Sequence, residues 1–433
     1  MSGIVAEEVC GSPLKKKTLY TLDNDRLIKV KSSRDGSTYG FGNFLYEVFF
    51  PEGYPDSVSK DYLTYQVFDT IQAFCSYVNG TIATQSVLTG LGVGEEASTA
   101  LAATMTWVLK DGVGMIGRIV FAWAQGTDLD SDMKRWRLRA DFFNDVATFL
   151  DIVSSQTRYF AFIICISALL RSIVGIAGTG TRPAIILHQA RRNNLGDVTA
   201  KDASQETMVH LTAMIVALVI MPWIAHSHLL SWTVFFLLAF IHVLANYCGV
   251  KSLNLEQFNQ SRFHLAVSAF LNSGGTFVPS IREVNRQEPV IVPLYRKWRY
   301  SIGCRLPRRA VSGGDFIEMR EIYGDEVFCL MVNPSKGHVA VFLSPAATPA
   351  DVIRAAFEVE LIGHKLLTHF SAVRDTVLEV MRQTRMEAGD LYERFEKLAR
   401  NEGFDFARNY LGARDWRLTW RSPDARTADF MVM

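Results

Sequence analysis

TMVHLTAMIVALVIMPWIAHSHLLSWTVFFLLAFIHVLANYCGV, residues 207–250, contains no Asp, Glu, Lys or Arg. Its 44 residues are about twice the ~20 that a single helical membrane span requires. Pro222 and the polar His226-Ser227-His228 divide it. It therefore reads as a helical hairpin: Met208 to Ile224, a tight turn, then Leu229 to Cys248. Trp223, Trp232 and Tyr247 sit near the ends, where aromatic rings anchor at a membrane interface. Arg191, Arg192 and Lys201 precede the hairpin, and Lys251 and Arg262 follow it. The positive-inside tendency then places both ends on the cytosolic or organelle-internal side. The competing reading is a pair of core helices; a soluble domain of this size rarely hides two consecutive helices that are apolar all round.

Outside this stretch the chain is mixed. Mean hydropathy is only +0.11, so the apolar residues are concentrated in the middle. Basic and acidic residues number 45 and 44. That balance leaves no field to attract nucleic acid, which is excluded as a partner. The six cysteines, Cys10, Cys75, Cys165, Cys248, Cys304 and Cys329, form no CxxC pair. They read as reduced thiols, with no disulfide framework and no metal site. The N-terminus, MSGIVAEEVCGSPLKKK, resembles neither a secretory signal nor a transit peptide, so insertion is expected to rely on internal helices.

Upstream of the hairpin, residues 18–32 alternate loosely and predict a small β-hairpin through Asp23-Asn24-Asp25. Phe49 to Asp61, with two prolines and a glycine, predicts an ordered loop. Tyr62, Tyr65, Asp69, Gln72, Ser76 and Asn79 then recur at steps of three and four, a polar stripe on an otherwise apolar helix. Such a stripe faces a bundle interior, a water cavity or a solvent-exposed surface rather than lipid. Gly90 to Gly94 breaks that helix, and an apolar segment from Ala97 to Ala124 is interrupted by Lys110-Asp111-Gly112 and Arg118. Asp128 to Asp141, rich in Lys and Arg, reads as a helix lying on a membrane surface or as a solvated linker helix. Phe142 to Gly178 is apolar except for Asp145, Asp151, Arg158 and Arg171, ended by Gly175, Gly178 and Gly180, and Thr181 to Glu206 reads as a polar connector.

After Ser273-Gly274-Gly275 the pattern becomes that of a compact soluble domain. Glu326 to Asn333 and His338 to Leu343 predict a β-hairpin. Thr348 and Pro349 open a helix running towards Ala372, a second helix spans about Thr376 to Arg400, and Trp416 to Arg421 alternates like a strand. The fold class is therefore mainly α: a polytopic helical membrane region, 51–275, followed by a small soluble α+β domain, 276–433, after an N-terminal segment, 1–50.

Two groups of residues are candidates for function. Asp69, Gln72, Lys110, Asp111 and Arg118 are polar or charged positions in apolar helices. Charge there is costly, so it is usually paired and often functional. Trp107, Asp111, Gly114 and Arg118 share a helix face that glycine opens to a neighbouring helix. Alternatively, Lys110-Asp111-Gly112 caps a break between two shorter helices. The second group is the connector, with His188, Arg191, Arg192, Asn194, Asp197 and Lys201. Its arginines suit an anionic solute such as a phosphate or carboxylate, or serve as positive-inside anchors, while Asp202 and Gln205 fit a helix start. Gly112, Gly114 and Gly117 match GxGxxG, but no strand precedes them and no βαβ unit surrounds them, so a dinucleotide site is rejected. HExxH, GxSxG and P-loop motifs are absent, and no catalytic residue or cofactor is expected. His210 and His242, in apolar helices, read as helix–helix hydrogen-bonders.

Five stretches resemble the root UV-B sensitive (RUS) family: GYPDSVSKDYLTYQVFDTIQAF at 53–74, ATQSVLTGLGVG at 83–94, TWVLKDGVGMIGRI at 106–119, KRWRLRADFFND at 134–145 and RRNNLGDVTAKDASQET at 191–207. Phe68 stands where many relatives carry tryptophan. The resemblance implies a link, in plant members, to early seedling growth under UV-B, auxin transport and vitamin B6 homeostasis, with some members plastid-associated. It implies no catalytic residues. The expected function is a non-enzymatic integral protein of an intracellular membrane that handles a small polar or anionic solute. The rival is an adaptor that recruits a protein partner through 276–433 and uses its helices as an anchor.

Overall fold

The computed structural model describes residues 4–10, 16–23, 26–32, 46–92, 100–126, 129–306, 313–333, 336–368 and 374–420. The chain divides into two compact units, Met1–Leu129 with Met133–Leu253, and Asp130–Asp132 with Asn254–Met433.

The first unit opens with an antiparallel sheet of β1 (Ile4–Cys10), β2 (Lys16–Asp23) and β3 (Arg26–Ser32). Asp23 pairs with Arg26, closing the expected hairpin; the turn residues Asn24 and Asp25 lie outside the described residues. Strand β1 was not anticipated. Among the described residues, six long helices follow: α1 (Tyr62–Gly90), α2 (Ala100–Gln125), α3 (Met133–Ser154), α4 (Phe160–Gln189), α5 (Leu195–Ala225) and α6 (His228–Ser252). Helix α1 packs along α5 and α6, α3 along α1, α4 and α6, and α2 mainly against α4.

The hairpin is formed by α5 and α6, with Ser227 capping α6 by accepting from the Leu230 N–H. Helices α4, α5 and α6 are long and apolar enough to cross a membrane. Only 17–28% of each apolar window is buried. Leu218, Leu229 and Phe240 are exposed, so the pair is not buried within this unit. Two further expectations need correction. Helix α2 runs unbroken through Lys110-Asp111-Gly112. Helix α4 continues through Gly175, Gly178, Gly180 and Pro183 to Gln189, leaving only 190–194 as connector. Threonine hydroxyls support it there: Thr179 donates to the Gly175 carbonyl at 2.8 Å and Thr181 to Ala177 at 2.7 Å. Gly180 packs closely on the Leu129 side chain, whose Cδ1 would stand 2.7 Å from an added Cβ and would have to shift to admit it.

The basic segment 128–141 is also reassigned. It enters helix α3, an interior helix whose Lys134 is buried and donates to the Leu253 carbonyl at the C-terminus of α6, at 2.8 Å. The ammonium thereby satisfies an orphan carbonyl at the negative end of a helix.

The second unit has its own core. Strands β5 (Arg299–Ile302), β7 (His338–Leu343) and β6 (Phe328–Asn333) form a sheet in that order, with β5–β7 parallel and β6–β7 antiparallel. A parallel pair joins β4 (Gln257–Asn259) to β8 (Asp405–Tyr410). Helices α7 (Gln260–Asn272), α8 (Ile281–Gln287), α9 (Gly313–Tyr323), α10 (Pro349–Thr368) and α11 (Arg374–Asn401) complete it. Thr348 and Asp351 cap α10 reciprocally, the Thr348 N–H donating to Asp351 at 2.8 Å. Phe258, Phe263, Phe270, Phe357 and Phe406 surround the buried Phe395, with ring centroids 5.3–6.3 Å from it. Residues 416–420 are not a strand: the Leu418 N–H donates to Leu343 at 2.8 Å, but no ladder forms, and Arg421 lies outside the described residues.

Candidate functional site

The polar stripe of α1 turns inward onto a cavity of about 310 Å³ within the first unit. Its wall includes Tyr65, Asp69, Gln72 and Ser76 from α1, Arg137, Asp141 and Asn144 from α3, Gly175, Gly178, Thr179 and Arg182 from α4, and Asp202 and Glu206 from α5. That volume lies at the small end of the roughly 300–1,000 Å³ range of small-molecule sites.

The charged groups are arranged in pairs. Arg137 donates from Nη2 to the Tyr65 hydroxyl and to Asp69, each at 3.0 Å. Arg182 spans two carboxylates, Asp202 at 2.5 Å and Glu206 at 2.9 Å. Asp141 accepts from neutral amides, Gln72 at 2.9 Å and Asn246 at 2.5 Å. Behind it lies the fully buried His242 of α6, with Nδ1 2.9 Å from Asp145 and Nε2 3.1 Å from the Gln72 amide and 3.6 Å from Asp141. The reading of His242 as a helix–helix hydrogen-bonder fits this geometry, while the His210 ring lies tilted against Tyr77 with ring centroids 5.2 Å apart. Arg171 pairs with Asp151 at 2.6 Å and reaches Asn144 at 3.4 Å, which holds the α3–α4 seam beside the cavity.

Of the first candidate group, the fold brings Asp69 and Gln72 to the wall. Lys110, Asp111 and Arg118 are elsewhere. Asp111 and Arg118 are exposed on α2, and Lys110 lies over the Trp107 ring at 4.9 Å. The reason is the rotation of α2: its Gly114 and Gly117 side meets Ala168 and Ser172 of α4, and the charges fall off that contact.

The connector residues are engaged with the loop before α1. His188 is buried with Nε2 2.9 Å from Asp61. Asn194 donates to the Ser57 carbonyl at 3.2 Å, Asp197 accepts from the Glu52 N–H at 2.7 Å, and Lys201 donates to the Glu47 carbonyl. The Arg191 N–H donates to Ser57 at 3.1 Å, while the Arg192 side chain is exposed, 3.9 Å from Asp56. The side chains of four of these six residues thus tie 47–61 to the end of α4 and the start of α5. Asp202 and Gln205 do not begin a helix; they lie inside α5, Asp202 facing Arg182 and Gln205 donating to the Tyr62 hydroxyl at 3.3 Å.

Arg137, Asp141, Asn144, Arg182 and Glu206 were not among the expected site residues. Their spacing carried a signal. Arg137, Asp141, Asn144, Thr148 and Asp151 recur at steps of four and three, as do Arg171, Gly175, Gly178 and Arg182. These are the same helical stripe as on α1.

Residues 37–274 match the family described as the vitamin B6 photo-protection and homoeostasis domain, and residues 277–420 match the root UVB sensitive protein C-terminal family. The chain is 40% identical over 272 residues to RUS family member 1 of Dictyostelium discoideum, covering 62% of this chain and 51% of that protein. It is 32% identical over 322 residues to protein root UVB sensitive 3 of Arabidopsis thaliana, covering 71% of this chain and 72% of that one. A third relative, Arabidopsis root UVB sensitive 2, named as chloroplastic, is 28% identical over 310 residues, 71% of this chain and 70% of its own length. The chain thus spans about half the length of the Dictyostelium relative. No solved structure matches it. With both matched regions accounting for nearly all of the sequence after residue 37, the chain belongs to the root UVB sensitive (RUS) family.

Proposed function

We propose that the first unit is integral to a membrane and is a non-enzymatic carrier or receptor for a small polar solute, which it holds in the cavity between α1, α3, α4 and α5. The observation that carries this reading is the combination of six charged side chains on one internal wall with an exterior of outward-facing apolar helices. Charged groups buried in such a bundle are expensive to maintain and commonly mark a solute pathway. A vitamin B6 vitamer is the solute class that the family description favours. The pyridine ring with its hydroxyl groups needs the mixed donors and acceptors that Gln72, Ser76 and Asn144 supply.

Two measurements test this. Alkaline carbonate extraction of membranes should leave the chain in the pellet; release into the supernatant contradicts membrane integration. Equilibrium binding of radiolabelled pyridoxine to the full chain in lipid nanodiscs should be saturable and weakened at least about tenfold, or about 1.4 kcal/mol, by Gln72→Leu. Asp111→Ala, on the far side of α2 from the wall, should bind like the unmodified protein. Equal binding by Gln72→Leu would refute the cavity as the site.

A further inference from the structure

Four carboxylates line the cavity, Asp69, Asp141, Asp202 and Glu206, against two guanidiniums, Arg137 and Arg182. Arg137 neutralises Asp69, and Arg182 is shared between Asp202 and Glu206. Asp141 receives only neutral amide donors at hydrogen-bond distance. The wall therefore carries an excess of two negative charges when its carboxylates are ionised.

The groups behind the wall do not cancel that excess. His242 is the nearest titratable neighbour of Asp141, and its other ring nitrogen faces Asp145 at 2.9 Å. A neutral imidazole, donating from Nδ1 to Asp145 and accepting from Gln72 at Nε2, leaves Asp145 as one more negative charge. A protonated imidazolium is offset by Asp145 itself. On α4, Arg171 is matched by Asp151. Among the described residues Arg182 is the cation beside Glu206, and no Lys or Arg lies within ion-pair distance of Asp141.

We infer that the cavity, if it holds a solute as proposed above, selects a small organic cation, a molecule bearing an ammonium group, over neutral and anionic analogues. An uncompensated carboxylate in a low-dielectric bundle is costly. Either a bound cation or a proton removes that cost. Among the described residues no three His, Cys, Asp or Glu side chains gather to hold a metal ion. The excess is instead distributed around the wall, which suits a molecular cation with a ring or chain to fill the rest of the volume.

The test uses the full chain in nanodiscs and three related probes: pyridoxamine, which carries an ammonium; pyridoxine, which lacks it; and pyridoxal 5′-phosphate, which is anionic. Equilibrium dialysis should rank pyridoxamine tightest and the phosphate ester weakest. Asp141→Asn and Glu206→Gln should each weaken pyridoxamine about tenfold, and weaken it more than they weaken pyridoxine. Saturable pyridoxine binding with equal or weaker pyridoxamine binding overturns the inference and leaves the solute-binding reading intact. Absence of saturable binding by all three probes overturns both. A variant that fails to fold is recognised by loss of its monodisperse elution, and the unmodified protein's ranking of the three probes then decides alone.

Discussion

Removing Arg137 should uncover how far the cavity wall depends on its charge pairing. Its guanidinium sits 3.0 Å from both the Tyr65 hydroxyl and Asp69, and the two charged side chains are only 18% and 27% exposed. Breaking a fully buried pair costs about 3–5 kcal/mol, because the remaining charge is stranded. Residual solvent in the cavity screens this pair, so Arg137→Met is placed lower, at about 2–3 kcal/mol. Asp69→Asn keeps an acceptor for Arg137 and loses the charge, at about 1–1.5 kcal/mol. In the double variant no charge is stranded, and the cost should fall short of the sum by about 1–2 kcal/mol. The assay is thermal unfolding of the four proteins in one detergent, converted with the measured unfolding enthalpy. Additivity within about 0.5 kcal/mol would refute the claim that these two groups act as a pair.

Three further outcomes are expected. His188→Ala removes one hydrogen-bond partner of the buried Asp61, which keeps the Ser59 hydroxyl, and should cost about 1–3 kcal/mol, loosening the 47–61 loop; trypsin cleavage at the exposed Lys60 should accelerate, and an unchanged rate would contradict the clamp. In the second unit, burial holds the Glu358 carboxyl above its ordinary range despite the neighbouring Arg385. The folded state then binds the proton more tightly than the unfolded state. This contribution favours the fold below the unfolded carboxyl value and is lost as pH rises through the folded one. Glu358→Gln should flatten that part of the stability–pH curve, and an unaltered slope would count against it. Phe395→Ala, at the centre of the phenylalanine cluster, should cost about 3–5 kcal/mol in chemical denaturation of the second unit; a cost below about 1 kcal/mol would mean the cluster is not its core.

The hairpin was legible because its signal is the absence of charge over two spans, which no local context disguises. The stripe on α1 was legible for a related reason: isolated polar residues at steps of three and four stand out against apolar neighbours. On α3 the same periodicity was hidden. Lys134, Arg135 and Arg139 flank Arg137, so the segment reads as basic on all sides, and only the fold separates Arg137, which enters the cavity, from Arg139, which lies over the Trp136 ring at 5.3 Å. On α4, Gly175, Gly178 and Gly180 look like a helix end, yet close packing and threonine back-bonding carry the helix onward to Arg182. Asp111 and Arg118 misled because charge in an apolar helix is a strong cue for function but says nothing about which way the helix is rotated. The connector's basic residues are a second such case: His188 and Lys201 are consumed by long-range contacts with 47–61, which sequence spacing does not reveal.

Thr179 offers the most direct test of whether a solute binds in the cavity, because it lines the wall and is exposed to reagent. Thr179→Cys should be modified by a polar methanethiosulfonate in nanodiscs faster than the native cysteines of the unmodified chain. Saturating pyridoxamine or pyridoxine should slow that modification severalfold. Modification at an unchanged rate under conditions where either vitamer binds would place the solute outside this cavity and contradict the account.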